Sequence, residues 1–547
     1  MIAQNTLTRR HLLAGSSALA LSALAPGRAV AAAFDPFAAP VSRGPSSLDV
    51  PAIGATASAS GAPYLAPVAE GWRVVSLLTT GNEVKGYPFA GIPDGLGAFD
   101  NGDGSITILC NHELGGGKGA MRGHGGKGAF VSRWTLAKDT LEIRSGQDFV
   151  TSPQKIHLFV GEGWKSGDQV PAQQLDLSRF CSADLAPVSA YYNSKSGLGF
   201  NGRIFLNGEE AGAGSANRAF AWVVEDGSAW ELPAFGFGKA GDAKDPTPSW
   251  ENLLAHPATG DLTLVAANSD GGSNQVCFYL GAKKREGSPI ERAGLTGGTL
   301  FSMVVPGVAA ESRDTNIGIA KSLAGKGAGR AIAFAAPNKG TSFLRPEDGA
   351  WDPRDPNRYY FVTTDRNNFA ADGTARDGQD VTQIGRTRLW AVTFDDVTKI
   401  VTDGAPTGKI ELLLDGTEGG DMFDNIAISA DGVIFLCEDP GNSRHNGKVW
   451  SYDLATGKFE TIAKFDPAKF GDVVGGQYTP PVAPFVDDKE SSGIIDVTDL
   501  FKDAPWFRPN ARVLLIVVQA HFAYDLALPA GAQLVEGGQL LLMVKAA

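Results

Sequence analysis

Six apolar runs in this 547-residue chain stop on a polar or acidic group. They are SITILCNHE at Glu113, GRIFLNGEE at Glu210, LTLVAANSD at Asp270, RYYFVTTD at Asp365, VIFLCED at Asp439 and VLLIVVQAH at His521. Ahead of five of these runs lies a second segment with a polar residue before its turn. Those residues are Asp94 in GIPDGLGAFD, Cys181 in RFCSADLAP, Glu251 in SWENLLAHP, Glu347 in LRPEDGAWD and Asp424 in MFDNIAISADG. If the fold brings them together, crowded carboxylates repel by several kcal/mol per close pair at an effective dielectric of about 20. Two outcomes follow. Either some carboxyls hold protons, or hard cations sit among them, and an oxygen-rich site of that kind suits calcium. Each acid taken singly has a plainer role, as a strand-end residue paired with a basic side chain. Cys181 adds a thiol to the set, which as a thiolate suits iron or zinc; its plain alternative is an inert buried thiol.

Positioning these groups requires a repeat. Each unit reads as a turn signal, a β-rich run of four to eight residues and then the polar group, and no mid-chain linker divides the units. Radial repetition of antiparallel sheets builds a β-propeller, in which residues opening each inner strand and closing the next face one end of the axis. The expected fold is therefore all-β, a six-bladed β-propeller with loop insertions. On that fold Asp94, Glu113, Glu210, Glu251, Glu347 and either Asp424 or Asp439 converge. Serial sandwich domains are the competing architecture, since alternation with glycine turns is common to both. The segment Gln533 to Val544 reads as a last strand pair around Glu536-Gly537-Gly538, placed to close the ring against an early strand.

Composition agrees. With 69 Gly, 31 Pro and 20% charged residues, the chain fits short strands and tight turns better than long surface helices. The balance of 48 Lys+Arg against 60 Asp+Glu, a net charge of −12, excludes a nucleic-acid partner, which needs a basic face.

The first segment reads as an address. Thr8-Arg9-Arg10-His11-Leu12-Leu13 opens a mildly apolar stretch, and Ala29 to Ala33 supplies small residues for cleavage. Residues 1–33 are expected to be a twin-arginine export signal and 34–64 an Ala/Pro/Ser-rich arm, leaving 65–547 as the propeller domain. No run approaches the roughly 20 apolar residues that span a bilayer, so stable membrane insertion is not expected. A periplasmic or secreted location follows, with the twin-arginine machinery as a partner. In an oxidising compartment the four cysteines could form two disulfides. Cys110, Cys277 and Cys437 lie inside apolar runs and read as buried packing residues.

Other chemistries find little support. Gly115-Gly116-Gly117-Lys118-Gly119 lacks the spacing of a phosphate-binding loop and reads as a loop over the channel mouth. There is no Gly-x-Ser-x-Gly elbow and no C-x-x-C zinc spacing. Among the histidines, His112 beside Glu113 is the one to watch.

Five segments resemble the PhoX-type bacterial alkaline phosphatases. They are Asn111-His112-Glu113, Cys181 followed by Gly208-Glu209-Glu210, Trp250-Glu251, Arg345-Pro346-Glu347 and Asp424-Asn425, in the family's order across most of the chain. The resemblance, to a divergent member, implies an exported six-bladed phosphomonoesterase acting on phosphate-ester small molecules with ferric iron (Fe3+) and calcium on its axis. It further implies Cys181, Glu251 and Glu347 as iron ligands, with Glu113 and Glu210 holding calcium or bridging the cluster. Asp424 completes the expected metal-binding set, and no side-chain nucleophile is required. Two departures stand out: a long insertion separates Cys181 from the glutamates, and the family's Val-Gln-His strand reads Val518-Gln519-Ala520-His521. The choice between Glu209 and Glu210 could also slip by one. Two other functions fit the same residues. One is a calcium-dependent propeller hydrolase of lactonase or phytase type with Cys181 inert, and the other is a non-enzymatic binding propeller pinned by calcium.

Overall fold

A computed structural model describes residues 61–212, 214–312, 326–327, 329–366, 387–400 and 402–546. The export signal and nearly all of the arm expected at 34–64 lie outside the described residues. The described chain is mostly β, with few and short helices.

Two sheets are four-stranded: Pro93–Asp100, Ser105–His112, Phe130–Ala137 and Ile143–Asp148 form one, and Lys489–Asp496, Arg512–Ala523, Glu536–Lys545 and Trp72–Thr79 the other. A six-stranded sheet opens on Phe180–Asp184, and a five-stranded one on Phe423–Ile428. A nine-stranded sheet has Leu254–Ala255 at one edge and Pro346–Trp351 at the other. The strands opening these sheets neighbour one another in chain order, and Lys489–Asp496 returns to Pro93–Asp100. The arrangement is propeller-like.

Alternation within single strands explains how the sheets pack. Successive side chains of a strand point to opposite faces, so a sheet buried on both sides must be apolar at consecutive positions. Ile108 joins a core with Trp134, Leu78 and Leu542, while its neighbour Leu109 joins Val131, Phe205 and Trp222 on the other face. Leu206 then packs with Val265 and Tyr279, Leu264 with Tyr359 and Trp390, and Tyr360 with Ile434 and Leu436. Phe435 packs with Ile516 and Leu541, returning to the sheet that holds Leu542. Each sheet is thus gripped by the sheet before it and the sheet after it.

The last sheet joins the two ends of the described chain, because Trp72–Thr79 pairs antiparallel with Glu536–Lys545. Closure against an early strand agrees with the sequence expectation, but a strand pair does not form. A short helix, Pro529–Leu534, precedes one long strand whose Gly537 and Gly538 pair with Ala520 and Gln519. Tyr64, expected at the end of the loose arm, is instead buried against Phe470 and Phe485 and donates its backbone N–H to Gln539 Oε1 at 2.7 Å.

Candidate metal centre

The opening strands share a local device that aims their polar residues. Between Pro93 and Leu96, three residue steps face only two steps on the partner, from His112 to Cys110. The same extra residue occurs between Phe180 and Ala183, Pro346 and Gly349, Phe423 and Ile426, and Ser491 and Ile494. A β-bulge of this kind bends the strand and re-aims a side chain. The residue that begins it is Asp94, Cys181, Glu347, Asp424 or Ser492. In four of these strands the residue before the pairing position is left-handed: Ile92 (φ 51°), Arg179 (φ 47°), Arg345 (φ 58°) and Met422 (φ 45°). Such a conformation is rare for side chains of this bulk and persists only where the surroundings enforce it.

These strands bring all six sequence-predicted ligands together. Ligand atoms of Asp94, Glu113 and Cys181 lie within 4.8 Å of one another, as do those of Cys181, Glu210 and Glu251 and those of Glu251, Glu347 and Asp424. A further group joins Asp424, Asp439 and Glu490. Shared members link the four groups into one continuous array. An ion with bonds of about 2.0–2.6 Å places its ligand atoms at most about 5 Å apart, so this spacing suits cations held between the side chains.

Electrostatics point the same way. Burial, then Glu113, pushes the Asp94 carboxyl well above its usual range, and burial, then Asp424, does the same to Glu251. Glu347, Asp424 and Glu490 are likewise pushed up by burial first and by neighbouring acids second. Glu210 is raised to about 7, chiefly by burial. Burial and then Asp94 hold Cys181 as a thiol, which donates to Asp94 Oδ2 at 3.2 Å. Among the described residues, Asp94 Oδ1, Glu251 Oε2 and Asn425 Oδ1 are buried acceptors that receive no hydrogen bond. Buried acceptors without donors are costly, and cations would satisfy them. The donor set fits oxygen-preferring cations, with Cys181 supplying one soft ligand.

Two arginines supply positive charge beside the array. Arg179 pairs with Glu113 and reaches Glu210 Oε2 at 3.0 Å, and Arg345 pairs with Asp270 at 2.8 Å and Glu347 at 2.9 Å. Their side chains remain 48% and 40% exposed, so each guanidinium faces both the acids and solvent. A cleft of about 410 Å³ leads to this region, lined by Glu113, Glu490, Gln519, Lys118, Arg179 and His521 among others. The glycine loop expected over the channel mouth contributes Gly115 and Lys118 to its wall.

Sequence reasoning passed over Glu490 because the sixth unit departs from the pattern. Register places Ser492 where the other bulged strands carry an acid or thiol, and Gln519 where Glu113, Glu210 and Asp439 stand, so the sixth run reaches the array at Gln519, not at His521. Gln519 Nε2 lies 3.2 Å from Asp94 Oδ2, 3.1 Å from Glu113 Oε2 and 3.3 Å from Glu490 Oε1. Glu490, two residues before Ser492, occupies the same strand face and supplies the missing carboxylate. The bulge between Ser491 and Ile494, shared with the other opening strands, is what aligns this strand with them, and it is a feature of register that the sequence alone does not show.

Other residues that the sequence brought forward lie outside the array. Asp365 joins none of the ligand groups found among the described residues, and Asp270 is paired with Arg345. His112 is a core residue: its Nδ1 bonds Gly91 O at 3.1 Å, its ring stacks on Phe130, and burial lowers it to about 3. The four cysteines are all buried and unbridged, and Cys110, Cys277 and Cys437 pack in hydrophobic cores as their apolar runs suggested. Glu209, the alternative to Glu210, is tied to Arg218 at 2.7 Å and joins none of the ligand groups found among the described residues, whereas Glu210 joins Cys181 and Glu251.

No protein-family model matches the chain, and no curated protein matches it by sequence. Several solved structures are similar. One is Pseudomonas fluorescens PhoX in complex with vanadate, at 13% identity and a TM-score of 0.48, covering 88% of this chain and 97% of that one. Another is a gluconolactonase from Xanthomonas campestris, at 10% identity and a TM-score of 0.31, covering 87% and 90%. A third is a GH43_1 enzyme from Xanthomonas citri bound to xylotriose, at 10% identity and a TM-score of 0.28, covering 86% and 90%.

Proposed function

We propose that the chain is a metal-dependent phosphomonoesterase built on a six-bladed β-propeller, with iron and calcium held in the axial array. One observation carries this reading: the Cys181 thiol belongs to two of the four linked ligand groups, next to buried carboxylate oxygens that have no donor. Cys181, Glu251 and Glu347 are the residues assigned to iron, and Glu113, Glu210 and Asp424 those assigned to calcium, with Asp439 and Glu490 extending the set. When bound, such ions act as Lewis acids toward phosphoryl oxygens and make water a nucleophile at neutral pH.

The chain's own residues then have definable tasks. Arg179 and Arg345 present guanidiniums at the array, and a planar fork of donors suits a tetrahedral oxyanion. Their pairing with Glu113, Glu210 and Glu347 keeps them beside the position a phosphoryl group takes. Gln519 Nε2 lies within reach of Asp94, Glu113 and Glu490, and its two N–H groups orient two of these carboxylates at a time. Ser182 Oγ donates to Glu251 and accepts from Asn425 Nδ2 at 2.6 Å, which orients the Glu251 carboxylate. The buried thiol, rather than a purely oxygen array, favours iron with calcium over the calcium-only hydrolase. Export by the twin-arginine route, after folding and metal loading in the cytoplasm, is part of the proposal and rests on Arg9 and Arg10.

The test is hydrolysis of p-nitrophenyl phosphate by the metal-loaded protein and by Cys181→Ser. Wild-type turnover abolished by a chelator, with a loss of at least about 100-fold in Cys181→Ser together with its iron, is expected. Full activity and iron content in Cys181→Ser would refute the ligand assignment.

A further inference from the structure

The cleft over the acidic array carries both charged and apolar groups. Charged groups line it, among them Glu113, Glu490, Glu536, Lys118 and Arg179, and Ile92, Ala523, Leu526 and Val535 are its apolar lining. These four come from segments tied to one another. Gly91 N–H donates to Leu534 O at 2.8 Å, and Tyr524 N–H to Val535 O at 2.9 Å, so the strand opening at Pro93, the strand ending at Ala523 and the turn before Glu536 form one patch. A side chain on Gly91 could not be accommodated, since its Cβ would lie 1.9 Å from Glu536 O.

The patch is built into the fold. Val535 adopts φ 66°, a region that β-branched residues almost never occupy, and its side chain is buried with Ala90, Leu114 and Phe130. That burial anchors the turn while Leu526 stays 44% exposed in the cleft wall and Leu528 is 58% exposed beside it. An exposed leucine alone needs no explanation. An exposed leucine in the wall of a cleft that also carries a lysine, an arginine and the proposed metal ligands marks a site for a ligand with an anionic end and an apolar end.

The geometry points to phosphomonoesters of apolar alcohols, aryl or alkyl, as the preferred substrate class, with Leu526 as the residue that selects for the apolar group. This inference rests on the phosphomonoesterase reading. The probes are phenylphosphonate and methylphosphonate, which share the phosphoryl end, are not hydrolysed and differ in the apolar group. Their dissociation constants are measured by calorimetry on the metal-loaded full-length protein and on Leu526→Ser, a change at an exposed site that leaves the core untouched. Wild type is expected to bind phenylphosphonate more tightly, and Leu526→Ser to shrink that preference by roughly five- to tenfold, the range for a partial apolar contact. A preference that is absent in wild type, or unchanged in Leu526→Ser, would overturn the substrate-class assignment and leave the phosphatase reading standing. Failure of wild type to bind either phosphonate would overturn both.

Discussion

At the scale of single residues, the array is a set of groups the folded chain cannot comfortably keep charged. Removing one carboxylate should therefore relieve the metal-free protein and harm the loaded one. Glu251→Gln is expected to raise the stability of the chelator-treated protein by about 1–2 kcal/mol and to lower that of the metal-loaded protein, checked by paired thermal melts. A variant that destabilises both forms equally would show Glu251 to be a packing residue. Asp184 makes a separate test, because it ends the strand that carries Cys181 and belongs to none of the ligand groups. Burial raises its carboxyl from 3.8 to about 7, and its Oδ2 accepts the Ala255 N–H at 2.9 Å. Between those values the folded state binds a proton that the unfolded state has lost, so this contribution to stability falls as pH rises from about 4 to 7. Asp184→Asn should flatten that slope by a few kcal/mol in urea midpoints taken between pH 4 and 8. An unchanged slope would mean that Asp184 is not the group titrating there.

At the scale of elements, the opening strands approach so closely that particular residues must be small. A Cβ on Gly95 would lie 2.4 Å from Ala183 N, and one on Gly493 would lie 2.7 Å from Asp94 O. Gly95→Ala should cost about 1–3 kcal/mol through overpacking and should also lower metal content, because it pushes the Asp94 strand from the Cys181 strand. Urea denaturation and metal analysis of the same preparation check both effects; lost stability with full metal content would separate packing from site geometry. The elements also show what was legible in advance. The runs ending at Glu113, Glu210 and Asp439 were readable because a β-rich run stops on an acid, and Asp94, Cys181, Glu251, Glu347 and Asp424 because each precedes a turn. The bulge that turns these residues toward one another is a matter of register, which composition does not encode. The sixth unit stayed hidden for the same reason, as Ser492 and Gln519 carry no charge to mark it. Glu490 becomes meaningful only once its strand lies beside Asp94 and Asp424.

At the scale of the whole molecule, the array exists because the sheets grip one another in sequence and the chain's two ends share the last sheet. Leu541 and Leu542 face different cores on the two sides of that sheet, and Trp72–Thr79 completes it from the other end of the described chain. A ligand set drawn from Asp94 through Glu490 depends on that long-range closure, so no short fragment would reproduce it. If the closed architecture holds iron and calcium together, as we propose, elemental analysis of the purified mature protein, counting iron, calcium and zinc per chain, is the most direct test. Stoichiometric iron accompanied by calcium is predicted. Calcium alone, or no bound metal after purification without chelator, would contradict the claim and return Cys181 to the role of a buried packing residue.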